Sequence, residues 1–238
     1  MPTEIARTGA GLLVRPGVDL QAFRPRYTRE HPPYRILYAS SCYPWKGVFD
    51  LLEAFRTVLD RGFSAELVYL FFGEKSAPTT NSAYIRELEQ RIVSLGLKDR
   101  VVIRDGPLSG IGETIARADI LASPLRSGIG TVDIPMSVLE ALACGLPVIG
   151  TTEGSISEAV VDGLNGYLVE PSAPDALAGA IVKMLGDRTK MKRMGEESYR
   201  LAQQFDARNS ALVLQKTYSL VVSNGRRVVL APSGRRWS

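Results

Sequence analysis

From residue 35 onward, short β-rich apolar runs alternate with amphipathic segments of helical period. This alternation restricts the chain to a parallel sheet with helices packed on both faces. RILYA (35–39), AELVYLFF (65–72), VVIR (101–104), DILAS (119–123), LPVIG (146–150) and GYLVE (166–170) are the six expected strands. Between the first two, KGVFDLLEAFRTVLDRG (46–62) sets Val48, Leu51, Leu52, Phe55, Val58 and Leu59 on one helical stripe that Gly62 ends. Ile85, Leu88, Ile92 and Leu95 form a second stripe. Short helices are expected near 111–117 and within EGSISEAVVDG (153–163), and a longer one over 172–187 starting from a Ser or Asp cap. Two more helical segments follow, at 188–205 and 207–222. The expectation is an α/β fold: a single doubly wound Rossmann-like domain with a six-strand parallel sheet over 35–205. A lead-in of 1–34 precedes it, and a C-terminal helix with a basic tail, 206–238, follows.

Composition narrows the functional classes. With 45% hydrophobic and 23% charged residues in 238, the chain reads as a globular protein rather than a disordered one. No apolar run is long enough to span a bilayer, and MPTEIARTGA lacks the features of a secretory signal, so a cytoplasmic location is expected. Cys42 and Cys144 form no CxxC pair and read as free thiols, so no metal cluster is expected. His31, in EHPPY, lies among prolines that argue for a loop and reads as a solvated linker residue; as it is the single histidine, no Ser-His-Asp or Cys-His machinery can be assembled elsewhere. The net charge of +4 belongs to NGRRVVLAPSGRRWS (224–238), with four arginines and no acid. Without interleaved aromatics or a binding motif this tail argues against nucleic-acid recognition and leaves peripheral contact with an anionic membrane open.

In an open parallel sheet, ligands bind outside the carboxyl ends of the strands, so the strand-to-helix loops are where chemistry is expected. SSCYPWKG (40–47) has no glycine before Gly47 and therefore no dinucleotide fingerprint; its Lys46 is either a phosphate-facing cation at a helix start or a solvated lysine. PLRSGIGTVDIPMS (124–137) carries Gly128 and Gly130, which either admit close backbone approach to a ligand or merely make a turn. Pro135 starts the next helix, whose free N–H groups suit an anion. Asp133, just before it, is a ligand contact or a helix cap. Glu140 sits among Val138, Leu139, Ala141, Leu142 and Ala143, so it needs either a buried cationic partner or a ligand with paired hydroxyls such as a ribose.

Six segments in order give these residues a common context. RPGVDLQAF (15–23), YPWKGVFDLLEAF (43–55), DRVVIRDGPL (99–108), ARADILASP (116–124), PMSVLEALACGLPVIGT (135–151) and SEAVVDGLNGYLV (157–169) together resemble the C-terminal, donor-binding domain of the retaining family-four glycosyltransferases of GT-B fold. The resemblance runs from about residue 12 to about 205. It implies a nucleotide-sugar such as a UDP-, GDP- or ADP-sugar as donor, with no metal or other cofactor. It gives Lys46 the donor diphosphate, Glu140 the ribose hydroxyls and the backbone of Met136, Ser137 and Val138 the diphosphate oxygens. Gly106, Pro107 and Leu108 would border the base, and Asp133, Gly128 and Gly130 would lie near the sugar.

The sequence departs from the family pattern in two positions. The first motif acid should fall at 132, where Val132 stands, leaving the adjacent Asp133 as the candidate; the arginine that accompanies the lysine should fall at 41, where Ser41 is neutral. The hinge-like VRPGVDLQAFRP also follows Met1 by only about a dozen residues, where the family has a complete acceptor domain. The resemblance thus implies the donor half of a retaining glycosyltransferase, completed by a separate N-terminal acceptor-domain polypeptide or by self-association. The alternative is a noncatalytic nucleotide-sugar-binding or interaction module, or a truncated, inactive relative.

Overall fold

Six strands pair side by side in the order β3-β2-β1-β4-β5-β6, every neighbour parallel. They are β1 (Tyr34–Ala39), β2 (Ala65–Phe71), β3 (Val101–Asp105), β4 (Ile120–Ser123), β5 (Val148–Thr151) and β6 (Gly166–Val169). The helices are α1 (Val48–Asp60), α2 (Thr80–Ser94), α3 (Ile111–Ala116), α4 (Met136–Ala143), α5 (Pro174–Leu185), α6 (Arg188–Ala202) and α7 (Ala207–Ser223). The structure is a computed structural model that describes residues 14–25, 32–71, 80–105, 110–129 and 133–223.

The inner strands are buried on both faces, as parallel sheets require, whereas Val102 and Arg104 of the edge strand β3 are exposed. Along β1, Ile36 and Tyr38 join a core with Leu51, Leu52 and Phe55 of α1, Ile85 and Leu88 of α2, and Ile181 of α5. Leu37 and Ala39 point the other way, into a core with Ile115 of α3 and Val138, Leu139 and Leu142 of α4. The period-2 pattern of the strands and the period-3.6 stripes of the helices therefore meet as the sequence implies. The lead-in is tied to the C-terminal segment: Val18 N–H donates to the Phe205 carbonyl at 2.7 Å, Ala207 N–H to the Val18 carbonyl at 3.0 Å, and Ser210 Oγ to the Arg15 carbonyl at 3.0 Å. On α7, Leu212 and Tyr218 remain exposed.

Three local expectations are corrected. The helix within 153–163 is a single 3₁₀ turn, Ile156–Glu158. The helix expected from 172 starts at Pro174, after Ala173, with no side-chain cap; proline in the first turn sets φ for the helix and has no N–H to leave unsatisfied. Lys46 lies outside α1, at the end of a 3₁₀ turn, Pro44–Lys46, separated from the helix by Gly47 in the left-handed region.

Candidate functional site

The strand order reverses between β1 and β4, which both leave the sheet centre toward the same end. Such a switch point opens a crevice beyond the strand carboxyl ends, because the two following connections turn to opposite faces. A cavity of about 230 Å³ lies there, lined by Tyr38, Ser40, Lys46, Ser123, Asp133 and Pro135 among others. Its two walls are the β1–α1 loop and the β4–α4 loop, the loops that the sequence singles out.

The first wall is folded by its own backbone. Tyr38 Oη donates to the Ser41 carbonyl at 2.8 Å, and Lys46 N–H to the Tyr43 carbonyl at 2.9 Å. Tyr43 and Trp45 stack with ring centroids 4.2 Å apart. Lys46 is partly buried, and this desolvation lowers its pKa from the ordinary lysine value. An anion placed in the cavity would offset that cost. Ser41, two residues beyond β1, does not line the cavity, whereas Ser40 does.

The second wall is anchored to the first. Arg126 N–H donates to the Trp45 carbonyl at 2.9 Å, and the Arg126 guanidinium grips both carboxylate oxygens of Asp50 in the first turn of α1, Nε to Oδ2 at 2.6 Å and Nη2 to Oδ1. This hydrogen-bonded carboxylate holds the Arg126 pKa above the ordinary arginine value. Thr151 Oγ1 donates to the Leu125 carbonyl at 2.7 Å, tying the same loop to the end of β5. Asp133 does not cap α4: its Oδ1 accepts from Ile134 N–H at 2.7 Å, and Pro135 occupies the cap position without a side-chain bond. Met136 and Ser137 are the first two residues of α4, where N–H groups have no intrahelical partner. The Val138 N–H is already given to the Pro135 carbonyl at 2.9 Å, so at this end it is the amides of Met136 and Ser137 that have no partner among the described residues.

Glu140 is half-buried one turn further along α4 and does not line the cavity. No ion pair or side-chain hydrogen bond satisfies it among the described residues, and burial raises its pKa from the usual carboxylate value. The buried cation that a purely structural glutamate requires is therefore not among them, and both carboxylate oxygens keep their acceptor capacity. Gly128 stands on the β4–α4 loop near Gly154 and Glu153, away from the cavity lining. Gly106, Pro107, Leu108, Gly130 and Val132 lie outside the described residues.

The structure thus brings Lys46 and Asp133 into one cavity with the start of α4 beside it, and sets Glu140 apart. Sequence reasoning missed Ser40, Ser123, Asp50 and Arg126. The last two leave a trace: Asp50 interrupts the apolar run VFDLLEAF, and Arg126 is the one basic residue in PLRSGIGTVDIPMS. Among the described residues no cluster of His, Cys, Asp and Glu could hold a metal ion, and Cys42 and Cys144 are buried and unbridged. No helix among them is long and apolar enough to cross a membrane.

Comparison with known proteins places this geometry. The family model described as Glycosyl transferases group 1 matches residues 33–187. The chain is 28% identical over 225 residues to a D-inositol 3-phosphate glycosyltransferase of Corynebacterium glutamicum, covering 89% of this chain and 52% of that protein. It thus spans about half the length of the curated relatives it matches. Among solved structures it superposes on sucrose-phosphate synthase of Thermosynechococcus elongatus with a TM-score of 0.75, at 22% identity, over 89% of this chain and 52% of that one. It also superposes on Anabaena HepE, solved in complex with UDP-glucose, with a TM-score of 0.72 at 23% identity, over 86% of this chain and 56% of that one.

Proposed function

The chain belongs to the group 1 glycosyl transferases, and from that premise we propose that it is the donor-binding half of a retaining glycosyltransferase. The observation that carries the reading is the meeting of Lys46 and Asp133 in the crevice between β1 and β4, with Pro135, the residue that leads into α4, in the same lining. Residues 35–205 hold the nucleotide-sugar, and the acceptor is bound by protein outside this unit: an N-terminal half, a separate polypeptide or a second copy. The two buried thiols fit a reducing compartment, and we place the chain in the cytoplasm.

Lys46 and the Met136 and Ser137 amides face the donor diphosphate, and their positive field stabilises the nucleoside diphosphate as the glycosidic bond breaks. Glu140 accepts hydrogen bonds from the ribose hydroxyls. Asp133, adjacent to the position held by Val132, meets the hydroxyls of the transferred sugar. Gly106, Pro107 and Leu108 border the base, and Gly128 and Gly130 let backbone approach the sugar. Transfer then depends on holding donor and acceptor in register, since proximity supplies a large part of the rate.

Nucleoside diphosphate binding tests the reading, with UDP tried first because the structural neighbour HepE was solved with UDP-glucose. At a ligand concentration 100 times Kd, the melting temperature of a chain this size should rise by about 5–10 °C. No shift with millimolar UDP, GDP or ADP would overturn it. Val132 and Ser41 at the positions of the expected acid and arginine favour a second reading, a nucleotide-sugar-binding module without catalysis. Donor hydrolysis or transfer, assayed with and without a candidate N-terminal partner, separates the two.

Glu140→Gln gives an independent check. The half-buried carboxylate costs the free protein stability wherever it is ionised in the fold. Because its folded pKa is raised, that cost is present above the folded pKa and disappears as pH falls below the unfolded value of 4.5. The glutamine variant should melt at or above the wild-type temperature at pH 7, with the gain fading toward pH 4.5, and should bind UDP about tenfold more weakly. Normal UDP affinity in this variant would remove Glu140 from the site.

A further inference from the structure

The two walls of the cavity leave the sheet on separate strands, and the β1–β4 pairing that precedes them spans only Ile36 with Ile120 and Leu37 with Leu121. Lys46 rides on one wall and Asp133 on the other. The strands alone do not fix the gap between these side chains, because each sits well beyond the last paired residue. Contacts between the loops must do so.

Arg126 reaches from the β4–α4 loop to α1 and takes both oxygens of Asp50, while its own N–H binds the carbonyl of Trp45, the residue before Lys46. The two partners differ in setting: the Asp50 side chain is 4% exposed and that of Arg126 40%. A carboxylate buried this deeply costs desolvation, and an apolar pair of similar volume commonly stabilises a fold as well or better. What a planar guanidinium on a carboxylate supplies is geometry: two parallel bonds fix direction as well as distance, which a lysine on one oxygen does not.

We infer that Asp50 and Arg126 are a positioning pair that sets the separation of the Lys46 and Asp133 walls and so holds the donor cavity at its working width. Neither residue lines the cavity, so both act through the loops they join. The inference rests on the donor-site reading above and adds to it the residues that hold the site in register.

The experiment compares wild type with Arg126→Lys and with the double variant Asp50→Leu, Arg126→Met. The first keeps the charge and loses the fork; the second removes both charges, so that no lone carboxylate stays buried. UDP, GDP and ADP affinities are measured by calorimetry beside the melting temperature of the free protein. Wild type that binds none of the three overturns the donor-site reading itself. Given wild-type binding, the double variant should melt within a few degrees of wild type and bind about tenfold more weakly, with Arg126→Lys between them. A double variant with unchanged affinity, whatever its melting temperature, reduces the pair to a stabilising contact and overturns the inference. Should the double variant fail to fold, Arg126→Lys decides alone: weaker binding at an unchanged melting temperature supports the role, and unchanged binding overturns it.

Discussion

Lys46→Met should weaken nucleoside diphosphate binding about a hundredfold, equivalent to about 2.7 kcal/mol, and change the stability of the free protein much less. The size follows from charge-assisted bonding: an ammonium facing a diphosphate in a partly dry crevice supplies both Coulomb energy and hydrogen bonds that methionine cannot. The stability effect is smaller for a separate reason. Burial holds the Lys46 pKa below its ordinary value, so the fold resists this charge at neutral pH and is relieved of it as pH rises through the lowered folded pKa toward 10.5. Methionine keeps the length of the side chain without that cost. Titration of both proteins with UDP, with melting curves recorded at the same pH, checks the pair of outcomes. A variant that loses stability and keeps affinity would make Lys46 a structural residue and leave the cavity without its cation.

Lys46 and Glu140 therefore share a pattern: each is partly buried, and for each burial shifts the pKa toward the neutral form. A fold optimised only for stability would have placed such charges in water. Burying them is the kind of local cost that a ligand of complementary chemistry repays on binding.

The sheet was legible because its signals are local and repeated. Six apolar runs separated by helical stripes leave few topologies, and the right-handed crossover of parallel units leaves fewer. The starts of short elements were less legible. Ser172 and Asp175 offered themselves as caps for α5, yet Pro174 governs where that helix begins. SISEA has helical composition, but the chain must turn into β6 within a few residues, and one 3₁₀ turn is all that fits. Within the site, Lys46 and Asp133 were visible as polar residues on loops that the fold brings together. Asp50 and Arg126 were not, because 76 residues separate them and neither position carries a spacing rule; only the topology makes them neighbours. Asp133 shows the converse, a residue whose cap role was plausible from sequence and is excluded by its bond to the next residue's N–H.

Gly47→Ala should be the most damaging single methyl group in the site, costing about 2–5 kcal/mol. Two effects combine at this residue. Its φ of 74° lies in the left-handed region, where a Cβ is strained against its own backbone, and that Cβ would stand 1.7 Å from the carbonyl oxygen of Pro124. The oxygen is backbone, so relief requires the β4–α4 loop to move away from the β1–α1 loop, which is the separation that Arg126 and Asp50 close. Gly62→Ala isolates the first effect: its φ is 84° and nothing lies within 4 Å of the added Cβ, so it should cost only about 1–2 kcal/mol. Urea unfolding of the two variants measures the difference, and UDP titration of the same samples reads its consequence for the cavity. Gly62→Ala should bind as wild type does, and Gly47→Ala at least tenfold more weakly, about the effect expected on parting the walls. Equal losses of stability in the two variants would mean that the loops tolerate separation. The walls would then be held apart or together by something other than this contact, and the affinity of Gly47→Ala would show whether the donor site senses their spacing at all.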